Sequence, residues 1–326
     1  VDGPTGLNGC SSSVPGPVLG AELTVAFAAL KTCHVLPPAC TMCGEIAVVD
    51  IGIPSRALEK QCRLRWVQEY DVRLLLPERH AAANKGSFGH LLIVAGSVGR
   101  SGAVALAERT AVVSGAGLVT IAVPEHLAPI VDSTCLEAMA HPIPVVGATG
   151  EMESLEGLAG LLPTMTAVAV GPGLGTSAGS AAALSWLLDR WRGPMVLDAD
   201  AVNLLAGAPG RLAEREEPTV LTPHPGELAR LLGSSTSDVL EDRLGAARRA
   251  ARESGAVVVA KGYRTVIACP DGEAWINPTG DEHLATGGSG DVLTGLIGGL
   301  LAQGLDEYRS AIVGTWLHGR AGEIGG

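Results

Sequence analysis

His90-Leu91-Leu92-Ile93-Val94-Ala95, followed by Gly96-Ser97-Val98-Gly99-Arg100-Ser101-Gly102 and the Ala- and Leu-rich stretch 103–114, decides the fold class. The first six residues form a short apolar run, the pattern of a strand buried on both faces. The glycine-studded turn and helical stretch behind it complete a strand–loop–helix unit. The pattern then repeats. Strands are predicted at 118–123, 167–170, 194–197, 220–221, 256–260 and 265–268, with an exposed strand around 274–276. Helices are predicted at 177–191, 237–254, 290–303 and 307–324. Strand and helix in turn predict an α/β fold, a mostly parallel central sheet with helices on both faces. Ligands in such sheets sit outside the carboxyl ends of the strands.

Composition narrows the function classes. Hydrophobic residues make up 47% and charged residues 17% of 326, which excludes a disordered chain. Glycine is 44 of 326, nearly twice the average usage of ~7%. The net charge of −11, with no basic run, argues against nucleic acid as a partner. No stretch reaches the ~18 consecutive apolar residues of a membrane span, so a membrane is not expected either. No signal peptide is visible, and Val1 in place of Met suggests a piece of a longer chain. Seven irregularly spaced cysteines argue against a secreted disulfide framework. Cys40 and Cys43, with Cys33 and His34 nearby, could frame a zinc site. One CxxC without a second pair favours free thiols in a reducing cytoplasm instead.

Four clusters carry the candidate chemistry. Gly96 to Gly102 follows the first strand, and Gly171-Pro172-Gly173-Leu174-Gly175 follows strand 167–170. Thr222-Pro223-His224-Pro225-Gly226-Glu227 follows strand 220–221. Thr286-Gly287-Gly288-Ser289-Gly290-Asp291 opens helix 290–303. Each alone is an ordinary turn; four in one domain exceed what turns require. The fourth reads as an anion hole, because free amides and the helix dipole meet at a helix start. Asp291 beside it is either a favourable first-turn carboxylate or a base for a substrate hydroxyl. There is no GxxxxGK[ST] loop and no GxGxxG followed by an acid, which disfavours P-loop and Rossmann nucleotide sites. Lys261-Gly262-Tyr263-Arg264-Thr265 bridges two strands; on spacing alone it is a plain hairpin. Asp198, Asp200 and Asn203 stand at a strand end, and with Glu227 could organise Mg²⁺ directly or through water. Capping is the stronger reading for Asp200, while Asp198 stays open.

Taken in order, these segments resemble one family. They are Lys85-Gly86-Ser87-Phe88-Gly89-His90, Ser114-Gly115-Ala116-Gly117-Leu118-Val119-Thr120, GPGLG, DADAVN, TPHPGE, KGYRT and GGSGDVLTG. The chain from about residue 80 is similar to the ADP-dependent (S)-NAD(P)H-hydrate dehydratases of the ribokinase-like superfamily. The resemblance implies a hydro-lyase for nicotinamide-nucleotide repair. Hydrated NADH or NADPH would lose water from the S epimer, driven by conversion of ADP to AMP and phosphate. It implies hydrate-binding positions at Ala103, Gly173, His224 and Asp291. It implies nucleotide-binding positions at Lys261, Gly262, Tyr263, Arg264, Thr265 and Gly290. Asp291 would be the catalytic base, and Gly287, Gly288, Ser289 and Gly290 the anion hole. Glu227 would organise Mg²⁺, and ADP would be co-substrate. A cytoplasmic homo-oligomer, commonly a tetramer, is implied as well.

The opening residues resemble the end of another domain. Val1-Asp2-Gly3-Pro4-Thr5-Gly6-Leu7-Asn8-Gly9, residues 21–27 and residues 44–54 are similar to the tail of the NAD(P)H-hydrate epimerase domain, often fused ahead of the dehydratase. The implied division is 1–55 epimerase remnant, 56–79 linker and 80–326 dehydratase domain, incomplete at its C-terminus. No epimerase activity is expected. Asp281-Glu282-His283 departs from the small, less charged loop usual in relatives. The alternatives are a vitamin-precursor kinase of the same superfamily and an inactive nucleotide-binding fragment.

Overall fold

The computed structural model describes residues 2–59, 62–146, 151–152 and 154–326. Val1 of the N-terminal segment and Lys60 and Gln61 of the expected linker lie outside the described residues.

The strands, in chain order, are β1 (Leu23–Phe27), β2 (Glu45–Val49), β3 (Leu64–Trp66), β4 (His90–Val94), β5 (Leu118–Pro124), β6 (Met139–Ile143), β7 (Val145–Val146), β8 (Glu151–Met152), β9 (Ala167–Val170), β10 (Met195–Leu197), β11 (Thr219–Leu221), β12 (Val257–Ala260), β13 (Val266–Ala268) and β14 (Ala274–Ile276). Ten of them make one sheet in the order β3-β14-β13-β12-β11-β10-β9-β4-β5-β6. From β12 to β6 every pair is parallel. The exceptions are β12–β13 and β13–β14, which short hairpins force to be antiparallel.

Alternation along each strand divides the core. Leu91 and Ile93 of β4 join one buried cluster, Leu92 and Val94 the other. All four are inaccessible to solvent, as an all-apolar strand inside a doubly covered sheet must be. Truncating one, as in Ile93→Ala, would cost about 2–5 kcal/mol.

Several expectations are corrected. Residues 274–276 are not an exposed strand. β3, from within the expected linker, pairs parallel with β14 and covers its edge, so Ala274 and Ile276 are buried. The far edge strand β6 was not anticipated. It contains Pro142, which an edge tolerates because one side of its ladder is unpaired. The expected helix 237–254 is two helices, Thr236–Glu241 and Arg243–Ser254, separated by Asp242 at φ −136°. Asp242 caps the second by accepting from Gly245 N–H.

β1 and β2 pair parallel in a separate two-stranded sheet. The segment between them is nevertheless built into the main body. Val35 and Leu36 belong to the same buried cluster as Leu92 and Val168 of the large sheet. Ser12 donates its hydroxyl to the Glu241 carbonyl. Asp2 accepts from Phe27 N–H at 2.8 Å and pairs with the Lys31 ammonium. All seven cysteines are free. No group of three or more His, Cys, Asp or Glu side chains converges as a metal set among the described residues.

Candidate active site

The loops at the carboxyl ends of β10, β11 and β12 converge on the start of helix Ser289–Ala302. Asp198, immediately after β10, is the hub. Its side chain is 1% exposed. One carboxylate oxygen accepts from Thr222 Oγ1 at 2.7 Å and from Lys261 Nζ at 2.7 Å. The other accepts from Thr294 Oγ1 at 2.7 Å. These partners come from three separate segments, so Asp198 ties the strand ends to the helix.

Lys261 stands between three carboxylates. Its Nζ is also 3.9 Å from Glu227 Oε2. Burial acts to lower its basicity, but the Asp198 and Glu227 charges outweigh burial, and Asp291 adds to them. The ammonium is therefore held above its usual range. Glu227 is pushed up by burial and by Asp198, partly offset by Lys261.

His224 and Glu227 form a reciprocal cap on helix Pro225–Leu232. His224 Nδ1 accepts from the Gly226 and Glu227 amides, and Glu227 Oε2 accepts from His224 N–H at 2.8 Å. Pro225 supplies the favoured first residue. The acceptor role of Nδ1 leaves the imidazole proton on Nε2, 3.3 Å from Glu227 Oε1. The His224 hinge between two prolines is thus a cap as well as a cavity wall.

This bears on Mg²⁺. Both Glu227 oxygens are occupied by His224, and Lys261 fills the space toward Asp198. The residues do not form an inner-sphere cage. An ion here fits only behind its own waters.

Helix Ser289–Ala302 begins after Gly288 at φ +93°. The Val292 amide bonds the Gly288 carbonyl, leaving the Gly290 and Asp291 amides as orphan donors of the first turn. Asp291 is raised to about 6, first by burial and then by the Asp198 charge, while Lys261 pulls it down. It is therefore poised to accept a proton near neutrality. Were Asp291 to serve as a base it would have to be ionised, so kcat/KM should fall as pH drops through about 6. Roughly a tenfold loss is expected by pH 5, and a pH–rate profile flat down to pH 4 would contradict this.

Two cavities meet here. One, of about 320 Å³, is lined by Asp198, His224, Lys261, Thr286, Gly290 and Asp291. The other, of about 550 Å³, is lined by Lys261 to Thr265, Asn277, Thr315, His318, Ser289 and Gly290. Lys261, Ser289 and Gly290 line both and form the seam. KGYRT is a hairpin, between β12 and β13, but it is also a cavity wall. A Cβ on Gly290 would lie 3.2 Å from Lys261 Nζ. Gly290→Ala should therefore shift the ammonium and weaken binding at the seam by about tenfold, an overpacking cost of ~1–3 kcal/mol. Titration calorimetry checks it.

Of the other expected positions, Ala103 and Gly173 lie together. A Cβ on Gly173, at φ +60°, would press on Arg100 at 2.9 Å and on Ala103 Cβ at 3.4 Å. Gly287 precedes the left-handed Gly288, and Gly288 faces Leu106 of helix Ser101–Val113. Asp200 does not cap a helix through its side chain. It accepts from Arg100 at 2.8 Å and from Gly175 N–H at 2.8 Å, joining two glycine loops. Asp281 and Glu282 line the larger cavity and not the smaller one. Sequence reasoning missed Thr294, Asn277, Thr315 and His318. His318 Nε2 donates to the Ser289 carbonyl at 2.9 Å, and burial pushes its imidazole below the usual range. Thr294, four residues beyond Gly290, was the one signal within reach.

Known proteins are similar to this chain. A family model described as NAD(P)H-hydrate dehydratase matches residues 91–324. A bifunctional NAD(P)H-hydrate repair enzyme of Moorella thermoacetica is 43% identical over 325 residues, 99% of this chain and 61% of that protein. The chain thus spans about three fifths of that relative's length. The crystal structure of an ADP/ATP-dependent NAD(P)H-hydrate dehydratase from Bacillus subtilis, co-crystallised with ATP and Mg²⁺, is 35% identical. It superposes with a TM-score of 0.68 over 80% of this chain and 89% of its own. A ribokinase-like superfamily protein from Enterococcus faecalis gives 0.68 at 26% identity, over 80% and 88%.

Proposed function

The chain belongs to the NAD(P)H-hydrate dehydratase family, and on that premise we propose that it repairs hydrated NADH and NADPH at the expense of ADP. The observation that carries the reading is the seam. A raised carboxyl group, two free helix-start amides and a buried ammonium meet where two cavities join.

The nucleotide occupies the larger cavity, along Lys261, Gly262, Tyr263, Arg264, Thr265 and Gly290. The nicotinamide hydrate lies toward Ala103, Gly173, His224 and Asp291. Asp291 takes the proton of the C6 hydroxyl as its oxygen attacks the β-phosphorus of ADP, and AMP leaves. The developing phosphoryl charge is held by the free amides of Gly290 and Asp291 and by Lys261. Hydroxide is a poor leaving group and phosphate a good one. The phosphorylated carbon then loses phosphate, with a proton from the neighbouring ring carbon, to restore the dihydronicotinamide. A Mg²⁺ ion carried on the nucleotide, with Glu227 behind its waters, would neutralise phosphate charge.

Incubation with ADP and hydrated NADPH tests the reading, which expects the absorbance of reduced nicotinamide to return. Its failure to return, with a stable phosphorylated product instead, would make the chain a kinase. Faster turnover with ATP would replace ADP as donor. Residues 1–55 carry no activity in this reading. We further place the protein in the cytoplasm as a homo-oligomer, which mass photometry would check. Among the described residues no helix is long and apolar enough to cross a membrane.

A further inference from the structure

Arg243, the first residue of helix Arg243–Ser254, is 6% exposed. Arg215, similarly buried, has Glu217 at 3.6 Å. Arg243 has no carboxylate within ion-pair distance among the described residues. Burial lowers its guanidinium to about 10, so it remains charged at neutral pH. A buried cation without a counter-ion is costly unless its hydrogen bonds are used.

Those of Nη2 are used on one loop, while Nε has no partner among the described residues. Nη2 donates to the carbonyl of Tyr263 and, at 2.7 Å, to the carbonyl of Arg264. The loop is shaped for this grip. Gly262 has φ +147°, and a Cβ there would collide with Nη1 of Arg243. Arg264 has φ +58°, a left-handed conformation in a non-glycine residue. In a trans peptide the N–H points opposite to the C=O. The amides of Arg264 and Thr265 therefore face away from Arg243. Neither has a protein acceptor among the described residues, and both residues line the larger cavity. Successive amides around a left-handed residue form an anion-binding concavity.

We propose that Arg243 is a positioning residue for the nucleotide. It grips the carbonyl side of two peptides and so presents their N–H side to a phosphate oxygen. The proposal rests on the reading of this cavity as the nucleotide site. Both bonds come from the one terminal nitrogen Nη2, which stands farther from the backbone than a lysine ammonium does, so Arg243→Lys keeps the charge but loosens the grip.

The test is equilibrium binding of ADP and of adenosine to the wild type, Arg243→Lys and Arg243→Met. ADP affinity should fall severalfold in Arg243→Lys and about tenfold or more in Arg243→Met. Adenosine affinity should stay unchanged, because it has no phosphate to meet the amides. Should Arg243→Met fail to fold, Arg243→Lys carries the same comparison. Equal ADP affinity in all folded variants, or parallel losses for ADP and adenosine, would overturn the positioning role. A wild-type chain that binds no ADP would instead overturn the nucleotide reading itself, and the proposal with it.

Discussion

Asp291→Asn is expected to lower turnover by about 10²–10⁴ while ADP still binds. The amide preserves shape at the third residue of helix Ser289–Ala302 but cannot accept the hydroxyl proton. Stability should move the other way. Asp291 is raised in the folded state, so its contribution favours folding below the ordinary carboxyl range near 4. That contribution is lost as pH rises through about 6. At neutral pH the ionised carboxylate is a liability beside Asp198. Removing it should stabilise the chain by about 1–2 kcal/mol, after discounting for partial exposure. A thermal melt and a single-turnover assay on one sample would read both effects. Activity retained near wild type would reduce Asp291 to a first-turn carboxylate and dismiss the mechanism.

Lys261→Met should damage both fold and chemistry. It leaves Asp198 buried with only the Thr222 and Thr294 hydroxyls for partners. Breaking a buried pair from one side costs about 3–5 kcal/mol, on the order of 10 °C in a domain of this size. Turnover should fall by about 10²–10³, as when one preorganised electrostatic stabiliser is removed. A nucleotide anchor alone would raise KM and spare kcat. The seam position predicts that both change. The acid limb of the pH profile should also move upward, since Lys261 holds Asp291 down. Adding Asp198→Asn should recover much of the stability, because position 198 then buries no unpaired charge, but not the rate. Recovery of the rate as well would assign the ion pair a purely structural role.

The sheet was legible wherever a strand is almost wholly apolar, as in β4 after His90, β5 apart from Thr120, and β9, because burial on both faces leaves few polar residues to confuse the pattern. The edges were not. Leu64-Arg65-Trp66 and Met139-Ala140-His141-Pro142-Ile143 carry residues that read as connector or loop, and an edge strand is where such residues are permitted. The site was legible in its glycine loops and in Asp291, which are local signals. The hub was not. Asp198 gains its role from Thr222, Lys261 and Thr294, each far away in sequence, and no local spacing announces that meeting. Asp200, two residues on, looked like the helix cap and is instead a tether between loops. The N-terminal segment read as a remnant, yet Leu36 is part of the main core, a contact that only the tertiary fold reveals.

In the proposed reaction the hydrate loses its hydroxyl as phosphate. The direct measurement places a heavy oxygen isotope in the C6 hydroxyl of hydrated NADPH and follows it through one turnover with ADP. The label should leave in inorganic phosphate, one labelled phosphate for each reduced nicotinamide formed. Label released into water, with phosphate unlabelled, would contradict it.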